Sequence, residues 1–131
     1  QWQWQFAYLD ADGRRVATST DLLLLPAGRM VEFRIGSADV IHSFWIPRLG
    51  GKIDAIPGKI NTLRLRADGP ARLRGQCAEF CGLSHARMSF AVVAMPGEEF
   101  DRWLATRHAP SSNSASAPAH VSHLAPTVAA P

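Results

Sequence analysis

Residues 77–88 read Cys-Ala-Glu-Phe-Cys-Gly-Leu-Ser-His-Ala-Arg-Met, a stretch that holds both cysteines of the chain. Cys77, Cys81, His85 and Met88 form the pattern C-x3-C-G-x2-H-x2-M. Thiolate and thioether sulfur favour copper, and imidazole suits copper or zinc. The four residues therefore predict a copper centre, around which the rest of the chain is interpreted.

The segments on both sides of this cluster have strand character. Apolar and polar residues alternate in 71–75, and 89–95 is an almost continuous apolar segment. The spacing of the four residues would also place them on one helix face, but flanking strands favour a loop wrapped around a metal. Further strands are predicted at 1–9, 30–35, 40–46 and 60–66, with a Gly/Pro-containing loop at 49–58. Short strands with such turns predict an all-β Greek-key sandwich or barrel.

The C-terminal part of the chain divides into a helix and a tail. Phe100, Trp103 and Leu104 fall at i, i+3 and i+4, which predicts a short helix at 97–106. Beyond it the composition turns to Ala, Pro, Ser and Thr without aliphatic periodicity. We therefore predict a domain over 1–108 and a disordered tail or linker over 109–131, in which His120 and His123 are solvated.

Charge and hydrophobicity narrow the function classes. The net charge is +3, but no nucleic-acid motif or Lys/Arg run accompanies it, so nucleic-acid binding is not expected. The longest purely aliphatic run, 22–25, is far short of the roughly 20 residues that cross a bilayer. We expect a soluble fragment whose membrane anchor or signal lies outside this sequence.

The cluster of two cysteines, a histidine and a methionine has several alternative interpretations. The two cysteines could close a structural disulfide, but that would leave His85 and Met88 unexplained. Methionine is a poor zinc ligand. A mononuclear blue-copper site uses one cysteine, so a second one suggests two coppers bridged by two thiolates. Such a pair would need another histidine, for which the candidate is His42, although a lone histidine in an apolar strand is more often a satisfied core residue.

Several stretches resemble the copper A (CuA) domain of cytochrome c oxidase subunit II. They are Val-Ile-His-Ser-Phe-Trp-Ile-Pro at 40–47, Lys-Ile-Asp-Ala-Ile-Pro-Gly at 52–58, Gly-Gln-Cys-Ala-Glu-Phe-Cys-Gly at 75–82, and the opening Gln-Trp-Gln-Trp. The resemblance covers residues 1 to about 106. It implies a cupredoxin-like Greek-key β-barrel at the periplasmic face of a bacterial inner membrane, within a complex anchored by segments absent from this sequence.

The resemblance also implies a role for each site residue. The two cysteines would bridge two copper ions in a mixed-valence pair, with His42 and Met88 completing one ion and His85 and the Glu79 carbonyl the other. The Glu79 side chain would reach a magnesium ion in the intact complex. Electrons would enter at Trp2, and Asp39 matches an acidic position used for partner docking. The implied metal ligands are His42, Cys77, Glu79, Cys81, His85 and Met88.

The function that follows is one-electron transfer. The resemblance implies that the domain takes electrons from cytochrome c, free or fused, and passes them to haem in subunit I, where oxygen is reduced. The alternatives are the copper A domain of a nitrous oxide reductase, a copper-delivery protein, and a structural subunit whose two cysteines form a disulfide.

Overall fold

A computed structural model of the chain describes residues 1–108 and 125–130. In these residues ten strands form two five-stranded sheets, ordered β2-β1-β10-β4-β7 and β3-β9-β8-β5-β6. The strands are β1 Gln5–Leu9, β2 Arg15–Thr20, β3 Leu22–Pro26, β4 Met30–Ser37, β5 His42–Trp45, β6 Lys52–Ala55, β7 Asn61–Arg66, β8 Ala71–Cys77, β9 Ser89–Met95 and β10 Ala125–Ala130. The predicted all-β, cupredoxin-like fold is confirmed.

An aromatic core joins the two sheets. Successive side chains of a strand point to opposite faces of its sheet, and phenylalanines occupy inward-facing positions in both sheets. Phe33 of the first sheet lies 5.2 Å from Phe44 of the second, measured between ring centroids. Phe6 and Phe90 make a second contact between the sheets at 5.2 Å, and Phe44 stacks on Phe90 at 5.3 Å. Trp4, fully buried, completes the cluster against Phe44 and Phe90.

The predicted helix is present as α1, Gly97–His108. Phe100 and Leu104 are buried, while Trp103 packs edge-on against Tyr8 with ring centroids 4.9 Å apart. Arg29 donates two hydrogen bonds of 2.7 Å to the carboxylate of Asp101. The apolar stripe therefore packs on the barrel as predicted, and the ion pair ties the helix to the turn before β4.

Several strands differ from the prediction. β2 and β3 lie in residues for which no strand was predicted. β6 lies inside the segment predicted as a loop, where it pairs with β5 in the register His42↔Ala55 to Trp45↔Lys52. Four residues at a sheet edge carry too little periodicity to be recognised, so the prediction was wrong there. β1 begins at Gln5 rather than at residue 1, because Trp2 has φ +66° and leaves the extended conformation.

The C-terminal residues also include a strand. β10 lies between β1 and β4, antiparallel to the first and parallel to the second. The sequence predicted no regular structure here, because backbone pairing with two neighbours does not require a side-chain pattern. Residues 109–124, with His120 and His123, and residue 131 lie outside the described residues. The division into domain and linker stays a prediction.

Among the described residues, no helix has the length and apolar character needed to cross a membrane.

Candidate metal centre

The candidate centre lies where β5 begins and β8 ends. His42 is the first residue of β5, and Cys77 is the last residue of β8. The two strands pair in the register Phe44↔Cys77, and the amide of Ala78 donates to the carbonyl of Ser43 over 2.9 Å. Antiparallel pairing thus brings together two residues 35 positions apart in the sequence, which no local motif could show.

The other donors come from the loop between β8 and β9. This loop returns to the barrel at Met88, whose carbonyl accepts a 2.9 Å hydrogen bond from the amide of Cys77. A short 3₁₀ turn, His85–Arg87, precedes Met88 and carries His85 to the centre. The prediction of a loop rather than a helix is therefore confirmed.

The sulfur and imidazole atoms converge at closely similar separations. Sγ of Cys77 lies 3.8 Å from Nδ1 of His42 and 3.8 Å from Sγ of Cys81. Sγ of Cys81 in turn lies 3.6 Å from Nδ1 of His85 and 3.8 Å from Sδ of Met88. The two thiols therefore occupy the middle of the cluster, with one imidazole beside each.

These separations suit metal coordination. Two ligand atoms each 2.3 Å from a tetrahedral metal are about 3.8 Å apart, the spacing seen between the sulfurs. The ligand atoms of His42, Cys77 and Cys81 all lie within 4.8 Å of one another. Soft sulfur with imidazole is a donor set for copper, and the thioether of Met88 disfavours zinc. The residues present therefore fit copper.

The centre is buried on the barrel side and open on the loop side. His42 is fully buried, and Cys77, Cys81 and Met88 are each at most 5% exposed. His85 is half-buried and its ring lies 5.7 Å from that of the exposed Phe80. A metal held here would be shielded from water on most sides, with His85 nearest the surface.

The Cys81 thiol is a weaker acid than an ordinary cysteine. Burial, together with the nearby Cys77 thiol, raises the pKa of Cys81 to about 12. Both cysteines are free, with their sulfurs 3.8 Å apart. Metal binding must therefore displace protons, because the thiolate is the ligand.

The backbone carbonyl of Glu79 also faces the centre. It accepts a hydrogen bond from Sγ of Cys77 over 3.1 Å. The side chain of Glu79 is exposed. The structure thus places the carbonyl at the cluster, while the carboxylate is available at the surface.

Trp2 lies directly against the loop that carries the thiols. Its indole Nε1 donates to the carbonyl of Cys81 over 3.2 Å. Gly82 follows with φ +117°, and a Cβ there would lie 3.1 Å from the Trp2 ring. Both the backbone conformation and the close approach of the ring therefore favour glycine at this position. The sequence alone did not show this contact.

Asp39 contacts His42 on the side away from the thiols. Its Oδ1 lies 2.8 Å from Nε2 of His42, and the amide of Val40 donates to the same oxygen. Oδ2 lies 3.0 Å from the backbone nitrogen of Gln1. Burial raises the pKa of Asp39, but the hydrogen bonds from His42 and Val40 outweigh that effect, so the net pKa is well below the ordinary range. The sequence signal, an Asp three residues before a His, is too common to have predicted this contact.

The predicted ligand atoms are thus brought to one place. Trp2 lies on the loop side of this cluster, and Asp39 lies behind the imidazole of His42.

The sequence model of a protein family, described as the periplasmic domain of cytochrome c oxidase subunit II, matches residues 7–95. Cytochrome c oxidase subunit 2 of Alkalihalophilus pseudofirmus is 44% identical over 104 residues, which cover 79% of this chain and 29% of that protein. The chain therefore spans less than a third of that relative.

Two solved structures are also similar. The periplasmic domain of subunit II of cytochrome oxidase of Bradyrhizobium japonicum is 34% identical, with a TM-score of 0.63 over 76% of this chain and 74% of that one. A mixed disulfide intermediate between a thioredoxin-like protein and subunit II of cytochrome c oxidase is 37% identical, with a TM-score of 0.57 over 64% of this chain and 63% of the other.

Proposed function

Since the chain belongs to the family of periplasmic domains of cytochrome c oxidase subunit II, we propose that it is the copper-holding electron-transfer domain of a haem-copper terminal oxidase. The observation that carries this proposal is the convergence of two thiols, two imidazoles and a thioether, in which each donor atom lies 3.6 to 3.8 Å from a neighbouring one. The periplasmic location is that of the matched family.

We propose that the centre holds two copper ions in a mixed-valence pair, which accepts and releases single electrons when bound. Cys77 and Cys81 would bridge the ions, because both sulfurs lie in the middle of the cluster. His42 and Met88 would complete one ion, and His85 with the carbonyl of Glu79 the other. Two bridging ligands and a rigid, buried frame favour small rearrangement on electron transfer.

Electrons would enter from cytochrome c at Trp2 and leave to haem in subunit I. The 3.2 Å hydrogen bond from the Trp2 indole to the Cys81 carbonyl supports this route, since it couples a surface ring directly to a bridging residue. Trp2→Phe should slow reduction by cytochrome c while leaving the copper spectrum unchanged. Trp103→Phe, in the helix away from the centre, is the matched control.

The exposed carboxylate of Glu79 would contribute to a magnesium site that the intact complex completes. Carboxylate and water oxygens are the ligands that Mg²⁺ prefers, and one carboxylate alone is not a site. Glu79→Gln should therefore leave the copper signal of the isolated domain unchanged and lower magnesium or manganese content only in the assembled oxidase.

We further propose that a thioredoxin-like reductant keeps Cys77 and Cys81 in the thiol form, so that they can bind copper. A Cys77–Cys81 disulfide would remove both bridging ligands, and the 3.8 Å between the sulfurs allows one to form with a small movement. A dithiol reductant would restore both thiols by exchange and would leave as its own disulfide. The mixed disulfide known for a similar subunit II supports this assignment.

The decisive experiment is electron paramagnetic resonance of the copper-loaded, oxidised protein, with copper analysis. The proposal predicts hyperfine structure from one electron shared over two copper nuclei and two coppers per chain. Cys81→Ser should leave at most a single-copper spectrum, while Ser84→Ala, in the same loop, should retain the shared-electron spectrum. A single-copper spectrum in the wild-type protein, or a variant Cys81→Ser spectrum like that of wild type, would contradict the proposal.

A further inference from the structure

The two imidazoles of the centre have different surroundings. Both turn Nδ1 toward a cysteine sulfur, at 3.8 Å for His42 and 3.6 Å for His85. The outer nitrogen of His42 meets the carboxylate of Asp39 at 2.8 Å. Within the described part of the chain, Nε2 of His85 has no hydrogen-bond partner. The two candidate ligands are therefore held in place by different means.

An ionised carboxylate can only accept hydrogen bonds. Its contact with His42 therefore requires the ring proton to reside on Nε2, which leaves the lone pair of Nδ1 directed at Cys77. A metal needs that lone pair, because a protonated ring nitrogen cannot be a ligand. The 2.8 Å contact thus selects the binding-competent tautomer of His42 before any metal arrives.

Asp39 is itself held in one orientation. Oδ1 accepts from the amide of Val40 as well as from His42, and the hydroxyl of Ser37 lies 3.2 Å from it. The amide of Asp39 donates back to the Ser37 hydroxyl over 3.3 Å. The Asp39 side chain is only 25% exposed. These bonds direct the carboxylate at the buried ring, an arrangement that a charge serving only partner docking would not need.

We propose that Asp39 is a positioning residue that locks His42 in the Nε2–H tautomer and orients its Nδ1 toward the copper pair. That this tautomer serves copper binding rests on the proposed copper function. That Asp39 selects the tautomer rests on the hydrogen-bond geometry alone. Removing an outer hydrogen-bond partner of a metal-binding histidine typically costs about 10- to 100-fold in metal affinity. We expect a loss of that order for Asp39→Ala, seen as faster removal of copper by a chelator.

The first test reads the tautomer without any metal. In the reduced, metal-free protein at about pH 8, above the ordinary histidine pKa of about 6.5, long-range ¹H–¹⁵N correlation spectra distinguish the two neutral ring forms. Wild-type His42 should be the Nε2–H form. Asp39→Ala should convert it to a mixture, while His85, which does not contact Asp39, provides an internal control and should not change.

The second test compares copper loss in three variants. Asp39→Ala should release copper about 10- to 100-fold faster than wild type. Asp39→Asn keeps an acceptor oxygen of the same shape, so it should preserve the tautomer and release copper at an intermediate rate. Asp54→Asn removes an equal charge from the exposed face of the neighbouring strand and should stay within about twofold of wild type.

The proposal is overturned if Asp39→Ala leaves both the His42 tautomer and the rate of copper loss as in wild type, which is the result expected of a docking charge. It is also overturned if the tautomer changes but copper retention does not. Should Asp39→Ala fail to fold, an Asp39→Asn rate equal to that of Asp54→Asn would overturn it. Failure of the copper function itself would appear separately, as a wild-type protein without the two-copper spectrum but with a readable His42 tautomer.

Discussion

Replacing Gly75 with alanine should destabilise the domain, because the added methyl group has no space. Gly75 of β8 pairs with Phe90 of β9, and a Cβ at Gly75 would lie 1.9 Å from Cζ of that ring. The ring cannot swing away, since it packs against Trp4, Phe6 and Phe44 at 5.2 to 5.4 Å between centroids. Overpacking of this kind costs about 1–3 kcal/mol or more, against a gain of about 0.4–1 kcal/mol from a stiffer unfolded chain. We expect a net loss of about 2 kcal/mol in the free energy of unfolding.

A double-mutant cycle tests the stated cause. Leucine at position 90 lacks the ring atoms that meet the methyl group, so Phe90→Leu should remove most of the cost of Gly75→Ala. The expected coupling is about 2 kcal/mol, within the range measured for residues in contact. Urea unfolding of the reduced, metal-free variants, followed by circular dichroism, gives all four free energies. Gly69→Ala is the control, since no atom lies within 4 Å of its Cβ position, and it should change stability by less than about 0.5 kcal/mol. Additivity of Gly75→Ala and Phe90→Leu within about 0.5 kcal/mol would refute the clash.

Three further predictions concern the loop, the helix and the thiols. Gly82→Ala should cost about 1–2 kcal/mol in unfolding free energy and shift the fluorescence of Trp2, because alanine is strained at φ +117° and meets the indole; unchanged stability and emission would exclude this packing. The hydrogen bond from Arg29 lowers the pKa of Asp101 in the folded protein. The ion pair should therefore contribute about 0.5–1 kcal/mol to the free energy of unfolding above about pH 4, and this contribution should vanish as the pH falls through the pKa of Asp101 in the folded state. The stabilities of wild type and Asp101→Asn should then converge in acid. Because burial raises the pKa of Cys81, copper uptake should release protons and slow as the pH falls from 8 to 6, in stopped-flow absorbance measurements; a rate independent of pH would contradict a protonated thiol.

The local features of the site were predictable because they lie close together in the sequence. Spacing alone identified the residues of the loop from Cys77 to Met88 and the strands on either side of it. The apolar stripe of α1 was visible for the same reason, since three residues at helical spacing define one face. These features depend on intervals of three to seven residues, over which the chain geometry is fixed by secondary structure.

The features that the sequence did not show depend on contacts across the fold. His42 reaches Cys77 through the pairing of β5 with β8. Trp2, which precedes β1, reaches the carbonyl of Cys81 across the fold. A resemblance to a family suggested the first pairing, but periodicity did not. β2, β3, β6 and β10 were not predicted. For β6 and β10, pairing at an edge or between two strands relies on backbone groups, which every residue carries.

The arrangement of the two imidazoles links this distinction to function. His42 is fixed twice, by its place at the start of a buried strand and by Asp39, whereas His85 lies on a short 3₁₀ turn near the surface. A metal centre that keeps its geometry while electrons pass needs ligands that are held in place by their surroundings. A strand and a carboxylate hold the inner histidine, whereas the outer histidine is carried by the loop alone. Copper should therefore be lost more readily from a variant of Asp39 than from one in the exposed part of the loop, because only the first disturbs the ligand that is otherwise preorganised.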